Sequence, residues 1–172
     1  MLFQTEDLLP VLALIVWTLV MFVWMYATRL PAFQKAGIEP NEARHPDAGY
    51  NARIPASIRS VADNYNHLHE QPTLFYALVF FAALTGGGDN VFMYLAWAYV
   101  ILRVIHSFIQ VLSSKVEQRF LVFALSTLVL MAMGLPNFMS SPKAALQRQQ
   151  RQPTPRTPSQ PQNTPSARRS AS

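Results

Sequence analysis

Charged residues are sparse and divide the chain into long apolar runs. From Leu8 to Thr28 no charge interrupts LLPVLALIVWTLVMFVWMYAT, a stretch long enough to cross a bilayer core of ~30 Å as a helix. Residues 29 to 57 are polar and punctuated by Pro31, Pro40, Pro46 and Pro55, with Gly37 and Gly49; this predicts a long loop of the kind that often covers a site. From Ser57 the pattern turns helical, and no charge falls between Glu70 and Asp89. That predicts a second span whose polar first turns extend out of the apolar zone. GGGDN at 86 to 90 reads as a tight turn. A third span is predicted from about Val91 to Leu112, apolar apart from Arg103, His106 and Gln110. A fourth follows Arg119 as FLVFALSTLVLMAMGLP, with Gly134 and Pro136 as stop signals. The pattern as a whole predicts an all-α protein, an integral membrane four-helix bundle occupying residues 1 to 140.

Residues 141 to 172 are different in kind. From Gln147 onward no apolar residue is larger than alanine, and Pro, Gln, Ser and Thr dominate. Such a segment cannot bury enough surface to fold, which predicts a disordered basic tail. Composition agrees with the division: the chain is 51% hydrophobic and only 13% charged, too apolar for an ordinary soluble domain. Six of the 14 Lys and Arg residues (Lys143, Arg148, Arg151, Arg156, Arg168, Arg169) follow the last apolar run. Scattered among Pro and Gln they read as solvating, and no nucleic-acid partner is expected. The leading MLFQTED is acidic and no small-x-small cleavage site follows the first apolar run, so that run is expected to be retained. Placing Arg29, Lys35, Arg44, Arg53, Lys115 and Arg119 in the cytoplasm satisfies the positive-inside rule, while the basic tail pulls the other way. The chain has no cysteine, which excludes disulfides, thiolate metal sites and cysteine nucleophiles. Any thiol chemistry must come from a ligand.

An ionisable group within a span costs a few kcal/mol at the least, so it faces a partner or a polar cavity. Arg103, His106 and Gln110 recur at helical spacing and share one face of the third span. On the second, Asp63, His67 and Glu70, and also Asn64, His67 and Gln71, make a broad polar face at its start. Two polar faces on apolar helices are expected to meet. One reading is structural: Arg103 and Glu70 neutralise each other as a buried ion pair, with His106 as a hydrogen-bond partner. The other is a small-molecule site. His69 is read as a headgroup-level residue and His45 as solvent-exposed. A zinc site from His67, His69, Glu70 and His106 is not expected, since no H-E-x-x-H spacing occurs.

The run DNYNHLHEQPTLFYAL at 63 to 78, followed by RVIHSFIQVLSSKVEQR at 103 to 119, resembles the MAPEG family, the membrane-associated proteins of eicosanoid and glutathione metabolism. The resemblance covers roughly residues 5 to 138. It implies a homotrimer of four-helix bundles with glutathione, as co-substrate, bound between helices of adjacent subunits. By the family's pattern His67 and Glu70 hold the peptide's polar backbone, Arg103, His106 and Gln110 contact it from the third helix, and Arg119 stabilises the thiolate. Arg29 resembles the basic residue that meets a ligand carboxylate. Three positions depart from the usual pattern: His67 stands where asparagine is usual, Asp63 where an arginine is often found, and Gln110 where tyrosine is common.

Glutathione is a flexible anion with two carboxylates, an ammonium and a thiol. Arg29 and Arg103 suit the carboxylates, Glu70 the ammonium and Arg119 the thiolate; a cation near sulfur lowers its pKa and raises the nucleophilic fraction. The resemblance therefore implies a glutathione-dependent transferase or peroxidase acting on lipophilic electrophiles that arrive from the bilayer. The absence of targeting signals and the basic Pro-rich tail suggest a bacterial inner membrane. Two rivals come from other classes. One is a non-catalytic membrane scaffold, and the other a small proton-coupled or lipid-handling protein using Glu70 and His106 as a relay.

Overall fold

In the computed structural model the described residues are 5–45, 49–85, 89–113 and 115–151, with side chains described up to Pro136. A single 3-10 turn, Thr5–Leu8, leads into α1 (Leu9–Lys35); α2 (Ala56–Thr85), α3 (Asn90–Leu112) and α4 (Val116–Arg151) follow. No strand occurs among the described residues. Short connections turn α2 into α3 and α3 into α4, so successive helices run in opposite directions. α3 packs along α4 and α1 along α2, and α2 with α3 closes the bundle.

Helices α1, α3 and the 116–136 part of α4 are long and apolar enough to cross a membrane. α2 matches them in length, but its first half carries Arg59, Asp63, His67, His69 and Glu70, so composition alone would not drive it into lipid. Of the four predicted spans, the second is therefore a helix of the bundle that hydropathy does not mark as a membrane crossing. The outward faces are apolar, with Leu12, Leu19, Val23, Tyr94, Leu112 and Leu128 each more than half exposed, as expected where the solvent is hydrocarbon or another copy of the chain.

The interior follows a coiled-coil spacing. On α2, Val61, Leu68, Phe75 and Ala82 stand seven apart and are all buried, with Asn64, Pro72 and Val79 between them. On α3 the buried seam is Phe92, Ala96, Tyr99, Arg103, His106 and Gln110, which alternates steps of four and three. Such a repeat keeps one stripe facing its partners along the whole helix. Leu14 and Met21 from α1 and Leu130 and Met133 from α4 complete the core.

Three expectations about boundaries are corrected. Pro31 does not end α1: the helix runs on to Lys35 and stops where Gly37 takes φ 62, with Ile38 N donating to Phe33 O and Gly37 N to Gln34 O, a Schellman closure. The segment that follows is not a bare loop. It contains the 3-10 turns Glu42–Arg44 and Tyr50–Arg53, and Ala32, Ile38, Tyr50 and Ile54 form a small core of their own. Gly134 and Pro136 do not stop α4 either, which continues to Arg151. A Cβ at Gly134 would lie 3.9 Å from Leu78 Cδ2, so that glycine sits where α4 packs on α2. Beyond Pro136, Lys143, Ala144, Ala145, Leu146 and the Gln/Arg run are strong helix formers. Of the predicted tail, residues 141 to 151 are helical and 152 to 172 lie outside the described residues; so does the 86–88 part of the predicted GGGDN turn, after which Asp89 caps α3 by accepting from Phe92 N at 2.8 Å.

Candidate functional site

The antiparallel arrangement gathers the C-terminal ends of α1 and α3 with the N-terminal ends of α2 and α4, and every candidate residue lies toward that end. Arg103 occupies the α3 seam with no exposed surface. Its guanidinium lies between two rings, 5.3 Å from the centroid of Tyr99 and 5.1 Å from that of Phe123, which is cation–π geometry. Nε donates to Tyr99 Oη at 3.0 Å. Nη1 and Nη2 are buried and have no hydrogen-bond partner among the described residues.

Tyr99 anchors this arrangement. Its ring stacks on Phe75 at 4.6 Å, and its hydroxyl donates to Gln71 Oε1 at 3.4 Å. Gln71 Nε2 in turn donates to Thr127 Oγ1 at 2.6 Å, and Thr127 Oγ1 to the Phe123 carbonyl at 2.9 Å. One polar chain thus ties α3 to α2 and α4 and holds the two rings that sandwich Arg103. From the other side Trp17 Nε1 donates to Ser107 Oγ at 3.1 Å, linking α1 to the same turn of α3.

One turn beyond Arg103, His106 is buried, its ring 6.0 Å from Phe123 and 6.4 Å from His67. Arg119 is half-buried in the first turn of α4. Gln110, a further turn along, is buried with neither amide atom bonded, and so is Asn64 on α2. His67 and Glu70 lie at the outer edge: His67 Nδ1 meets Glu70 Oε2 at 2.9 Å, with Glu70 mostly exposed. The buried Arg103–Glu70 ion pair of the structural reading is therefore not formed, because Glu70 turns outward to its own-helix histidine while Arg103 is enclosed by aromatic rings.

Arg29 stands apart from this cluster. Its Nη2 donates to Tyr50 Oη at 3.4 Å and its guanidinium covers the Phe33 ring. It borders a polar cavity of about 560 Å³ together with Arg59, Asp63 and Asn66, one turn of α2 short of His67. His69 lies on α2 with Nδ1 2.9 Å from the Tyr65 carbonyl, and His45 is exposed. Among the described residues no three His, Asp or Glu groups converge as metal ligands.

Sequence reasoning placed Arg103, His106, Gln110, His67, Glu70 and Arg119 together, but missed Tyr99, Phe123 and Thr127. Tyr99 had a signal: it precedes Arg103 by four on the same seam. Phe123 and Thr127 had none, since aromatic and hydroxyl residues in an apolar span are ordinary.

No curated protein and no solved structure matches the chain. The MAPEG family, in contrast, matches residues 8–139, from the last residue before α1 to just past Pro136 in α4, and the chain belongs to that family.

Proposed function

We propose that this chain is a membrane-bound glutathione-dependent transferase or peroxidase that acts on lipophilic electrophiles, assembled as a homotrimer in a bacterial inner membrane. The observation that carries the reading is the Arg103 guanidinium. A buried cation with Nη1 and Nη2 unpaired costs several kcal/mol in a low-dielectric interior, and an anion arriving at those two nitrogens offsets that cost. A peptide carboxylate fits the planar fork. The unbonded amides of Gln110 and Asn64 supply donors and acceptors for a peptide backbone.

The remaining roles follow from position. Arg29 takes a second carboxylate at the polar cavity, His67 a polar group of the peptide, and Glu70 its ammonium. The exchange asked of Glu70 is cheap, because its partner is an exposed histidine and such pairs are worth about 0–1 kcal/mol. Arg119 holds the sulfur as thiolate, with His106 as neighbour. The thiolate attacks the electrophilic carbon of a substrate entering from lipid, a carbon–sulfur bond forms, and the leaving group or conjugated π system takes the electron pair. Trimer assembly is supported by the apolar faces each chain leaves open and by the resemblance. The basic Pro-rich segment after the last span is what supports the bacterial setting. Of the rivals, the scaffold reading is weakened because Arg103 meets no carboxylate.

The test is calorimetry of glutathione with detergent-purified protein, together with ultraviolet absorbance of the thiolate. Binding at or below about millimolar, which is ~4 kcal/mol, is expected; Glu70→Ala weakens it, and Arg119→Ala abolishes the thiolate band. A folded, oligomeric protein that binds no glutathione would sink the reading.

A further inference from the structure

A second cavity, of about 440 Å³, lies at the C-terminal end of α1 and is bordered by Ala27, Pro31 and Lys35 of α1, Arg53 and Pro55 of the connection, and Ile58 of α2. Its height in the bilayer can be read from α1. The uncharged stretch that ends at Thr28 is about 30 Å long at ~1.5 Å per residue, which matches the hydrocarbon core. Ala27 therefore sits at the boundary of the acyl region. Lys35, two turns further, stands about 10 Å outward, and its four-carbon stem reaches back toward the headgroup layer.

The lining changes chemistry along the same direction. Along α1 it passes from Ala27 and Pro31 to the ammonium of Lys35, while Ile58 adds apolar surface and Arg53 a guanidinium. Lys35 forms no ion pair among the described residues. Arg53 pairs with Glu42, but both groups are about two-fifths exposed, and such a pair yields readily to a better anion. Apolar residues toward the acyl region with two cations beyond them complement an anionic phospholipid, whose acyl chains lie below its phosphate.

We propose that this cavity is a binding site for the phosphate headgroup of an anionic membrane phospholipid, with Lys35 and Arg53 as the phosphate ligands. The site is separate from the Arg103 cluster and does not depend on the glutathione reading. It also commits the α1–α2 connection to the leaflet that carries the anionic lipid.

The experiment is thermal unfolding of delipidated, detergent-purified protein with added phosphatidylglycerol, phosphatidylcholine or inorganic phosphate. Phosphatidylglycerol is expected to raise the midpoint by about 3 °C more than phosphatidylcholine does. That excess disappears in Lys35→Gln/Arg53→Gln and returns when Lys35→Arg replaces Lys35→Gln in the single variant. Because Arg53 also meets Glu42, Lys35→Gln alone, an exposed and unpaired position, is measured beside the double variant and is expected to lose at least half of the excess. Equal stabilisation by both lipids, or an excess that survives in the folded variants, overturns the proposal. A full effect from inorganic phosphate alone overturns it as well, since the cavity would then hold a free anion and not a lipid.

Discussion

The seam of α3 passes through two environments. In its first half Phe92, Ala96 and Tyr99 are buried among Phe75, Val79, Ala82 and Met133; in its second half Arg103, His106 and Gln110 are buried just as deeply, at the same heptad positions. The apolar half is a core in the ordinary sense, where each side chain contributes by dispersion and by leaving no void. The polar half buries four unbonded atoms from Arg103 and Gln110, with two more from Asn64 on α2. Identical spacing, comparable burial and opposite chemistry separate the apolar half of the helix from the half on which the proposed site rests.

Substitutions at the two halves should then fail in different ways. The largest loss of stability is expected at Phe75→Ala in the apolar half, where a fully buried ring stacked on Tyr99 is removed. Unfolding in detergent should be easier by about 3–5 kcal/mol, and a loss under ~1 kcal/mol would mean the two halves are not energetically distinct. Next comes Arg103→Met. Glutathione affinity in calorimetry should fall at least about 100-fold, or ~2.7 kcal/mol, while thermal stability stays level or rises, because an uncompensated buried charge has gone. A strongly destabilised but folded Arg103→Met, still binding the peptide, would return Arg103 to a structural role. The smallest effect sharpens the boundary between the halves: Gln71→Leu breaks the bonds to Tyr99 and Thr127 and should cost about 1–2 kcal/mol of stability, with ligand affinity reduced only by the loosened rings around Arg103.

Much of this was legible beforehand, for identifiable reasons. The absence of charge from Leu8 to Thr28 and from Val91 to Leu102 leaves a bilayer as the natural solvent, and helical spacing is enough to put Arg103, His106 and Gln110 on one face. The polar start of α2 was legible in the same way. Helix ends were harder. Pro31 and Pro136 look like terminators, yet in α1 and α4 the surrounding turns keep the helix going, and a proline then costs one hydrogen bond and not the element. The pairing of charged groups was not legible at all. Arg103 and Glu70 have complementary charges on facing helices, but whether they meet depends on the rotation of α2 about its axis, which turns Asn64 inward and Glu70 out.

What the sequence by itself determined is the membrane class, four helices and the set of residues able to do chemistry, because hydropathy and the 3.6-residue period are local properties that survive without knowledge of neighbours. Only the tertiary structure decided that Arg103 is enclosed by Tyr99 and Phe123 with two nitrogens unpaired, that Glu70 meets His67 instead, and that Lys35 and Arg53 line one cavity. Burial and partnership are set by the packing of residues far apart in the chain, and no local pattern encodes which of several complementary groups will come within reach.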